Sequence, residues 1–249
     1  MQDDTLKGKV ALITGAAHGL GQATAYELAA MGAHIAILDR HEKGARQMAE
    51  ALASQGTKAT WAAVDVGDGP AMAKAIEQVR KALGDPLVAV ANAGIAGPRK
   101  PFQDYTHGEW ANQFRIHMDG TYFTVKHTID AMLAAGWGRI VCTASVAATW
   151  GIPHQTAYSA AKGAIIGFVR SLARETANTG ITVNAVAPGW IDTGLSKIMD
   201  ADTMDTVKAR IPMDRFGEPK DIAKAVAYFC GSGGDYVTGQ VLSPNGGLI

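Results

Sequence analysis

The residues Thr14 to Gly21, T-G-A-A-H-G-L-G, join two segments of different periodicity, and that junction narrows the folds open to this chain. Lys9 to Thr14 is a short apolar run whose length suits a buried strand. Leu20 to Met31 reads as a helix. Glycines in the link permit a tight turn and let backbone N–H groups approach a phosphate, which the positive end of the following helix attracts. A second strand, His34 to Leu38, ends at Asp39, close to the spacing of an acid that holds a ribose hydroxyl. Each piece alone is an ordinary glycine turn or strand-end carboxylate. Together they predict a βαβ unit that cradles a dinucleotide.

The alternation continues down the chain. A helix over Glu42 to Ser54 precedes a strand over Ala59 to Val64 that ends in Asp65-Val66. A helix over Ala71 to Leu83 leads to the strand Leu87 to Ala91 and then Asn92-Ala93-Gly94. Strands alternating with helices of this length predict an α/β fold with a doubly wound parallel sheet. No Pro/Ser-rich linker or charge block interrupts the 249 residues, so one domain spanning 1–249 is the economical expectation. Residues 194–214 are polar and methionine-rich with weak periodicity, and read as a segment that covers substrate.

Charge sharpens the exclusions. Twenty-three basic residues balance 23 acidic ones, which argues against a nucleic acid or an anionic membrane as partner. The apolar runs are too short to span a bilayer, and the polar start M-Q-D-D-T-L-K has no apolar signal-peptide core. Cys142 and Cys230 lie in apolar stretches without metal-ligand spacing, which suits reduced core thiols, a cytoplasmic location and no metal.

The chemistry falls in Ser145 to Lys162. The strand Arg139 to Thr143 delivers Ser145 just past its carboxyl end, where ligands bind in open parallel sheets. Tyr158 and Lys162 lie four apart at the start of a helix over Thr156 to Ala177 and so share a face. An ammonium beside a phenol favours the phenolate, lowering a pKa that is ordinarily about 10. Such a phenol exchanges protons near neutrality. A second long helix is expected over Glu109 to Leu133, with Trp110, Phe114, Met118, Tyr122, Val125 and Ile129 at helical spacing. His117 points near that face. The sixth strand, Thr182 to Val186, ends in P-G-W-I-D-T; a helix follows over Glu218 to Gly231, and a last strand over Gln240 to Ser243.

With these motifs in order, the chain from Lys7 to Gly247 resembles the short-chain dehydrogenase/reductase family in its common form of about 250 residues. The resemblance implies a Rossmann fold of about seven strands and hydride transfer between a secondary alcohol and a ketone. It gives Tyr158 the proton exchange, Ser145 the hydrogen bond to the reacting oxygen, and Lys162 the nicotinamide ribose and the tyrosine pKa. Gly15, Gly19 and Gly21 would line the pyrophosphate and Asp39 would hold the adenosine ribose, with His18, Leu20 and Arg40 also at the cofactor. Asp65 and Val66 would meet adenine, with Asn92, Ala93 and Gly94 beside the cofactor. Pro188 and Gly189 would also line the cofactor, and Ile191 and Thr193 would bind the carboxamide. Asp39 favours NAD over NADP, because a carboxylate repels a 2′-phosphate; Arg40 is the complication.

Three departures accompany the likeness. Ala91 stands where the family has the first Asn of N-N-A-G. His117 stands where it has an asparagine linked to the lysine through a water and a main-chain carbonyl. Pro244-Asn245-Gly246-Gly247 replaces V-D-G-G. The family's carrier-protein reductases prefer NADPH and have basic residues where Gly136 and Thr179 fall here. An NAD-linked alcohol dehydrogenase therefore ranks above a 3-oxoacyl-(acyl-carrier-protein or CoA) reductase, with an idle nucleotide-binding sensor as the remote alternative. Ala147, Trp150, His154 and Trp190 are the expected substrate walls, for a small-molecule alcohol or ketone. The family's usual assembly implies a homotetramer built through the two long helices.

Overall fold

The computed structural model describes residues 4–194 and 200–249. Seven parallel strands form one sheet in the order β3-β2-β1-β4-β5-β6-β7. They are β1 Val10–Thr14, β2 His34–Asp39, β3 Ala59–Ala63, β4 Pro86–Ala91, β5 Gly138–Thr143, β6 Ile181–Val186 and β7 Val241–Leu242. Every residue of β1, β5 and β6 is buried. Helices cover both faces of the sheet, which is why these strands are continuous apolar runs without in–out alternation.

The strand pleat sorts side chains between the layers. Ala11, Ile13, Ile35 and Ile37 pack into a cluster with Leu28 of α1 (Gly19–Ala30), Met48 and Leu52 of α2 (Glu42–Ser54) and Phe229 of α10 (Pro219–Cys230). The alternate residues Val10, Leu12, Ala36 and Leu38 meet Met72, Ile76 and Val79 of α3 (Gly69–Leu83). On that same face Ala89, Ile140 and Cys142 meet Ile165 and Val169 of α8 (Thr156–Thr176). The structured edges fall within a residue or two of those predicted. The start of α3 is fixed by Asp68, whose carboxylate accepts from Ala71 N at 3.0 Å, with Pro70 in the first turn.

The expected single helix over Glu109 to Leu133 is not one helix. It divides into α4 (His107–Phe114), a π-helical turn (Arg115–Asp119), α5 (Gly120–Lys126) and α6 (Ile129–Ala135). Threonines in this stretch bond back to backbone carbonyls one turn away. Thr121 donates to His117 O at 2.7 Å, Thr124 to Gly120 O at 2.7 Å, and Thr128 to Thr124 O at 2.9 Å. A four-residue helix, α7 (Ala147–Trp150), and an eight-residue one, α9 (Ala201–Lys208), complete the described α-helices, and short 3-10 turns lie at Phe102–Asp104 and Ser232–Gly234. Residues 195–199 of the expected covering segment lie outside the described residues.

Candidate active site

The carboxyl ends of the strands open onto a cleft of about 650 Å³. At one end the glycine loop turns at Gly15 and Gly19, with φ of +65° and +58°. A Cβ on Gly15 would stand 2.8 Å from Ala93 Cα, so only glycine lets the loop lie against β4. Gly21 does not line the cleft; a Cβ there would come 2.3 Å from Gly15 O, and its absence seats α1 against the loop. The first turn of α1 has neither an acidic residue nor a side-chain cap, leaving its N–H groups facing the cleft.

Asp39 is buried at the tip of β2 and is used twice. Its two oxygens accept from Ala17 N at 3.0 Å and His41 N at 2.9 Å, which ties the acid to the glycine loop. Asn92 performs the same service at the centre. Its Nδ2 donates to Thr14 O at 3.0 Å and Gly15 O at 3.2 Å, its backbone N–H to Thr14 Oγ1 at 3.0 Å, and its Oδ1 accepts from Thr143 Oγ1 at 3.5 Å. Beyond Asp39, Arg40 and Asp65 line the far wall. Asp65 is ion-paired to Arg115 at 2.9 Å, and its carboxyl lies below its ordinary value. Burial works against that shift, while hydrogen bonds from Gly67 N and Arg115 and the charge of Arg40 carry it.

The other end gathers Ser145, Tyr158, Lys162 and His117. Continuous helix at α8 puts Tyr158 and Lys162 on one face, with the Lys162 ammonium 5.9 Å from the phenol ring centroid. Lys162 is buried and donates to Thr143 O at 2.6 Å. Burial pulls its pKa down to about 7, opposed by the nearby Cys142 thiol, which burial pushes up to about 12. Tyr158 is raised above its ordinary value by burial, and a hydrogen bond with Ser145 draws it back. Desolvation thus outweighs the help that the Tyr-Lys spacing alone predicts. Ser145 Oγ also accepts from Ala147 N at 3.2 Å.

His117 is 1% exposed and packs edge-on to Tyr158, with ring centroids 5.3 Å apart. Its Nε2 lies 2.9 Å from Ile95 O. Burial, with the charge of Lys162, holds its pKa down at about 3, so the ring is neutral at pH 7.

Of the expected substrate walls, Trp190 lines the cleft and also a smaller cavity of about 220 Å³ beside it, shared with Met213, Arg215 and Asn245. Ala147, Trp150 and His154 do not line the cleft. Ala147 is buried within α7, Trp150 is 53% exposed at its end, and His154 is exposed at φ +66°. The His154 carbonyl is held by Lys100 N and the Tyr105 hydroxyl, each at 3.0 Å.

Outside comparison decides the lineage. The sequence model of a family described as Enoyl-(Acyl carrier protein) reductase matches residues 15–249. A 3-oxoacyl-[acyl-carrier-protein] reductase from Pseudomonas aeruginosa is 37% identical over 244 residues, 98% of each chain. A cis-4-hydroxycyclohexanecarboxylate dehydrogenase from Sinomonas cyclohexanicum is 38% identical over 239 residues, 96% of each chain. Among solved structures, a NAD+-bound xylitol dehydrogenase superposes with a TM-score of 0.92 at 30% identity, covering 97% of this chain and 99% of that one. This chain belongs to the short-chain dehydrogenase/reductase family.

As a short-chain dehydrogenase/reductase it is an oxidoreductase that uses a nicotinamide cofactor. The residues present fit such a group: the glycines clear a path for a pyrophosphate at the bare start of α1, and a buried acid lies where an adenosine ribose would reach. Pro188, Gly189, Ile191 and Thr193 line the cleft near Ser145. Their turn is braced by the C-terminal segment, where Gly189 N donates to Pro244 O at 3.1 Å and Asn245 Oδ1 accepts from Gly247 N and Leu248 N. The P-N-G-G departure therefore forms its own closed turn. Sequence reasoning passed over Thr14, Ile95, Ala96 and Thr143. Thr14 and Thr143 end strands beside glycine or serine, a local signal; Ile95 and Ala96 carry none, because backbone and contact place them.

Proposed function

We propose that this chain is an NAD-linked dehydrogenase that interconverts a small secondary alcohol and its ketone. The observation that carries the proposal is the convergence of Ser145 and Lys162 on Tyr158 at the closed end of the glycine-loop cleft. In alcohol oxidation Tyr158 Oη acts as the phenolate and takes the hydroxyl proton, and in reduction the phenol gives that proton to the ketone oxygen. Ser145 Oγ donates to the substrate oxygen and steadies the charge that grows there. Lys162, held by Thr143 O, offers its remaining N–H groups to the nicotinamide ribose and opposes the rise that burial imposes on the phenol. The bound nicotinamide supplies the hydride acceptor. Glycines 15 and 19, with His18 and Leu20, bind the pyrophosphate, and Ile191 and Thr193 orient the carboxamide.

NAD is the proposed partner because Asp39 is buried and carboxylate-bearing where a 2′-phosphate would have to fit. Arg40, a residue that would welcome a phosphate, already faces the charge of Asp65. The chain is proposed to act as one catalytic unit over 1–249, with 194–214 over the substrate. Its free, buried cysteines suit a reducing cytoplasm. Among the described residues no helix is long and apolar enough to cross a membrane. A homotetramer is proposed through the faces bearing the exposed Tyr122 and Leu133; light scattering at micromolar concentration tests it.

A panel of secondary alcohols with NAD+, read as NADH absorbance, tests the main proposal. Turnover of at least one, with NADH preferred to NADPH in the reverse direction, is expected. Cofactor binding without turnover of any alcohol or ketone would favour a nucleotide sensor. The carrier-protein reductase relative supports a second reading, reduction of 3-oxoacyl thioesters. Against it stand Asp39 and the uncharged Gly136 and Thr179. Faster turnover of an acetoacetyl thioester with NADPH than of any alcohol with NAD+ would reverse the ranking.

A further inference from the structure

His117 has one ring nitrogen accounted for and one not. Nε2 lies 2.9 Å from Ile95 O and 3.4 Å from Ile95 N; a carbonyl can only accept, so the shorter contact assigns the proton to Nε2 over the longer one. Nδ1 is then a bare acceptor, and it is buried without a hydrogen-bond partner among the described protein groups. Its surroundings are specific. The point where a Cβ on Gly94 would stand is 3.1 Å from Nδ1 and 3.7 Å from Lys162 Nζ, so the missing side chain leaves both atoms facing one small space. The main-chain carbonyl of His117 accepts from the Thr121 hydroxyl at 2.7 Å, whereas Nδ1 has no partner at all among the described protein groups, so the acceptor most in need of a donor beside the lysine is the side chain's.

We propose that His117 is a positioning residue whose Nδ1 accepts from an O–H group shared with Lys162 Nζ in the space over Gly94, and so orients the lysine toward Tyr158. A buried acceptor left without a donor bears the full cost of its desolvation, which is the physical reason to expect one there. The donor is a water or a cofactor hydroxyl, the two sources of the same chemistry. The titratable groups facing the ring, Lys162 and Tyr158, both come from α8. The π-helical turn matters because it puts the ring at this depth. The proposal deepens the active-site assignment above and rests on it for the role of Lys162.

Two isosteric substitutions separate the two nitrogens. His117→Asn keeps an acceptor near the Nδ1 position and loses the Nε2 donor. His117→Gln keeps a donor that can reach Ile95 O and loses the Nδ1 acceptor. Expected is kcat within about threefold of the parent for His117→Asn and a fall of about tenfold or more for His117→Gln, the scale of one buried hydrogen bond. Equal loss in both folded variants, or full activity in His117→Gln, overturns the proposal. Nitrogen NMR on the full-length, ¹⁵N-histidine-labelled protein gives a second readout independent of turnover, with His117→Asn assigning the signal. At pH 7 the ring should be the neutral Nε2–H tautomer with an Nδ1 shift displaced by hydrogen bonding. Displacement without cofactor identifies water, and displacement only after adding NAD+ identifies a cofactor hydroxyl. A protonated Nδ1, or a free Nδ1 shift under both conditions, overturns it. Should Tyr158→Phe keep its turnover, the catalytic assignment fails while the NMR result stands.

Discussion

Two long stretches with the same kind of apolar stripe bound the chemical end of the cleft, and they fold differently. Thr156–Thr176 runs unbroken for 21 residues, so the spacing of Tyr158 and Lys162 becomes a fixed distance. The stretch from His107 to Ala135 is interrupted twice and widens into a π turn at His117. In α8 a threonine hydroxyl bonds back along the helix only at its final residue, Thr176 to Leu172 O. In the broken stretch three do so within eight residues, each beside a place where the helix changes form. A hydrophobic stripe records which face is buried; it does not record whether the backbone stays regular. The regular helix holds the reacting groups, and the irregular one reaches in to meet them.

The sharpest way to break this comparison is Tyr158→Phe. It removes the phenol that the regular helix supplies for proton exchange, and a loss of about 10³-fold in kcat/KM is expected from steady-state kinetics. Lys162→Met should abolish most turnover and yet raise the unfolding temperature. Burial lowers the lysine's folded pKa to about 7, below its unfolded value. That penalty is therefore present in full below pH 7 and relieved as pH rises toward the unfolded pKa. The gain on substitution should shrink over the same range in thermal melts.

On the irregular side, His117 is held neutral, with a folded pKa of about 3. Stability is then lost as pH falls below the unfolded value, and about 2 kcal/mol should go between pH 7 and pH 5. His117→Asn should flatten that slope in urea titrations; an unchanged slope would remove His117 as its source. The smallest effects compare the two backbones directly. Gly120→Ala places a Cβ 2.7 Å from Val66 Cγ2 and should cost about 1–3 kcal/mol. In α8, Gly167 has nothing within 4 Å, and Gly167→Ala should add about 0.5–1 kcal/mol. A drop instead would point to a second subunit over that face.

How much was legible follows from how local each cause is. The glycine loop, Asp39 and the strand ends were readable because each is a fixed spacing along one βα unit. The Tyr158 and Lys162 pairing was readable for the same reason, but the direction of the tyrosine shift was not. It depends on how much water the other elements exclude, which no spacing encodes. Trp150 and His154 stand near Ser145 in sequence, yet α7 and the turn after it carry them to the surface. The break at His117 was hidden because the apolar pattern records which face is buried and carries no mark of a change in backbone form.

Asn92 has a consequence for how such a chain can change. Its one amide and one N–H join the tips of β1, β4 and β5, which carry the nucleotide loop on one side and Thr143 with Ser145 on the other. These bonds make the floor of the glycine-loop end continuous with the floor of the Ser145 end. New substrates must therefore be accommodated by the walls, in the loops after β5 and β6, while the floor is inherited whole. A substitution at Asn92 would be felt by both ligands at once, which makes it the position where affinity for one cannot be tuned without the other.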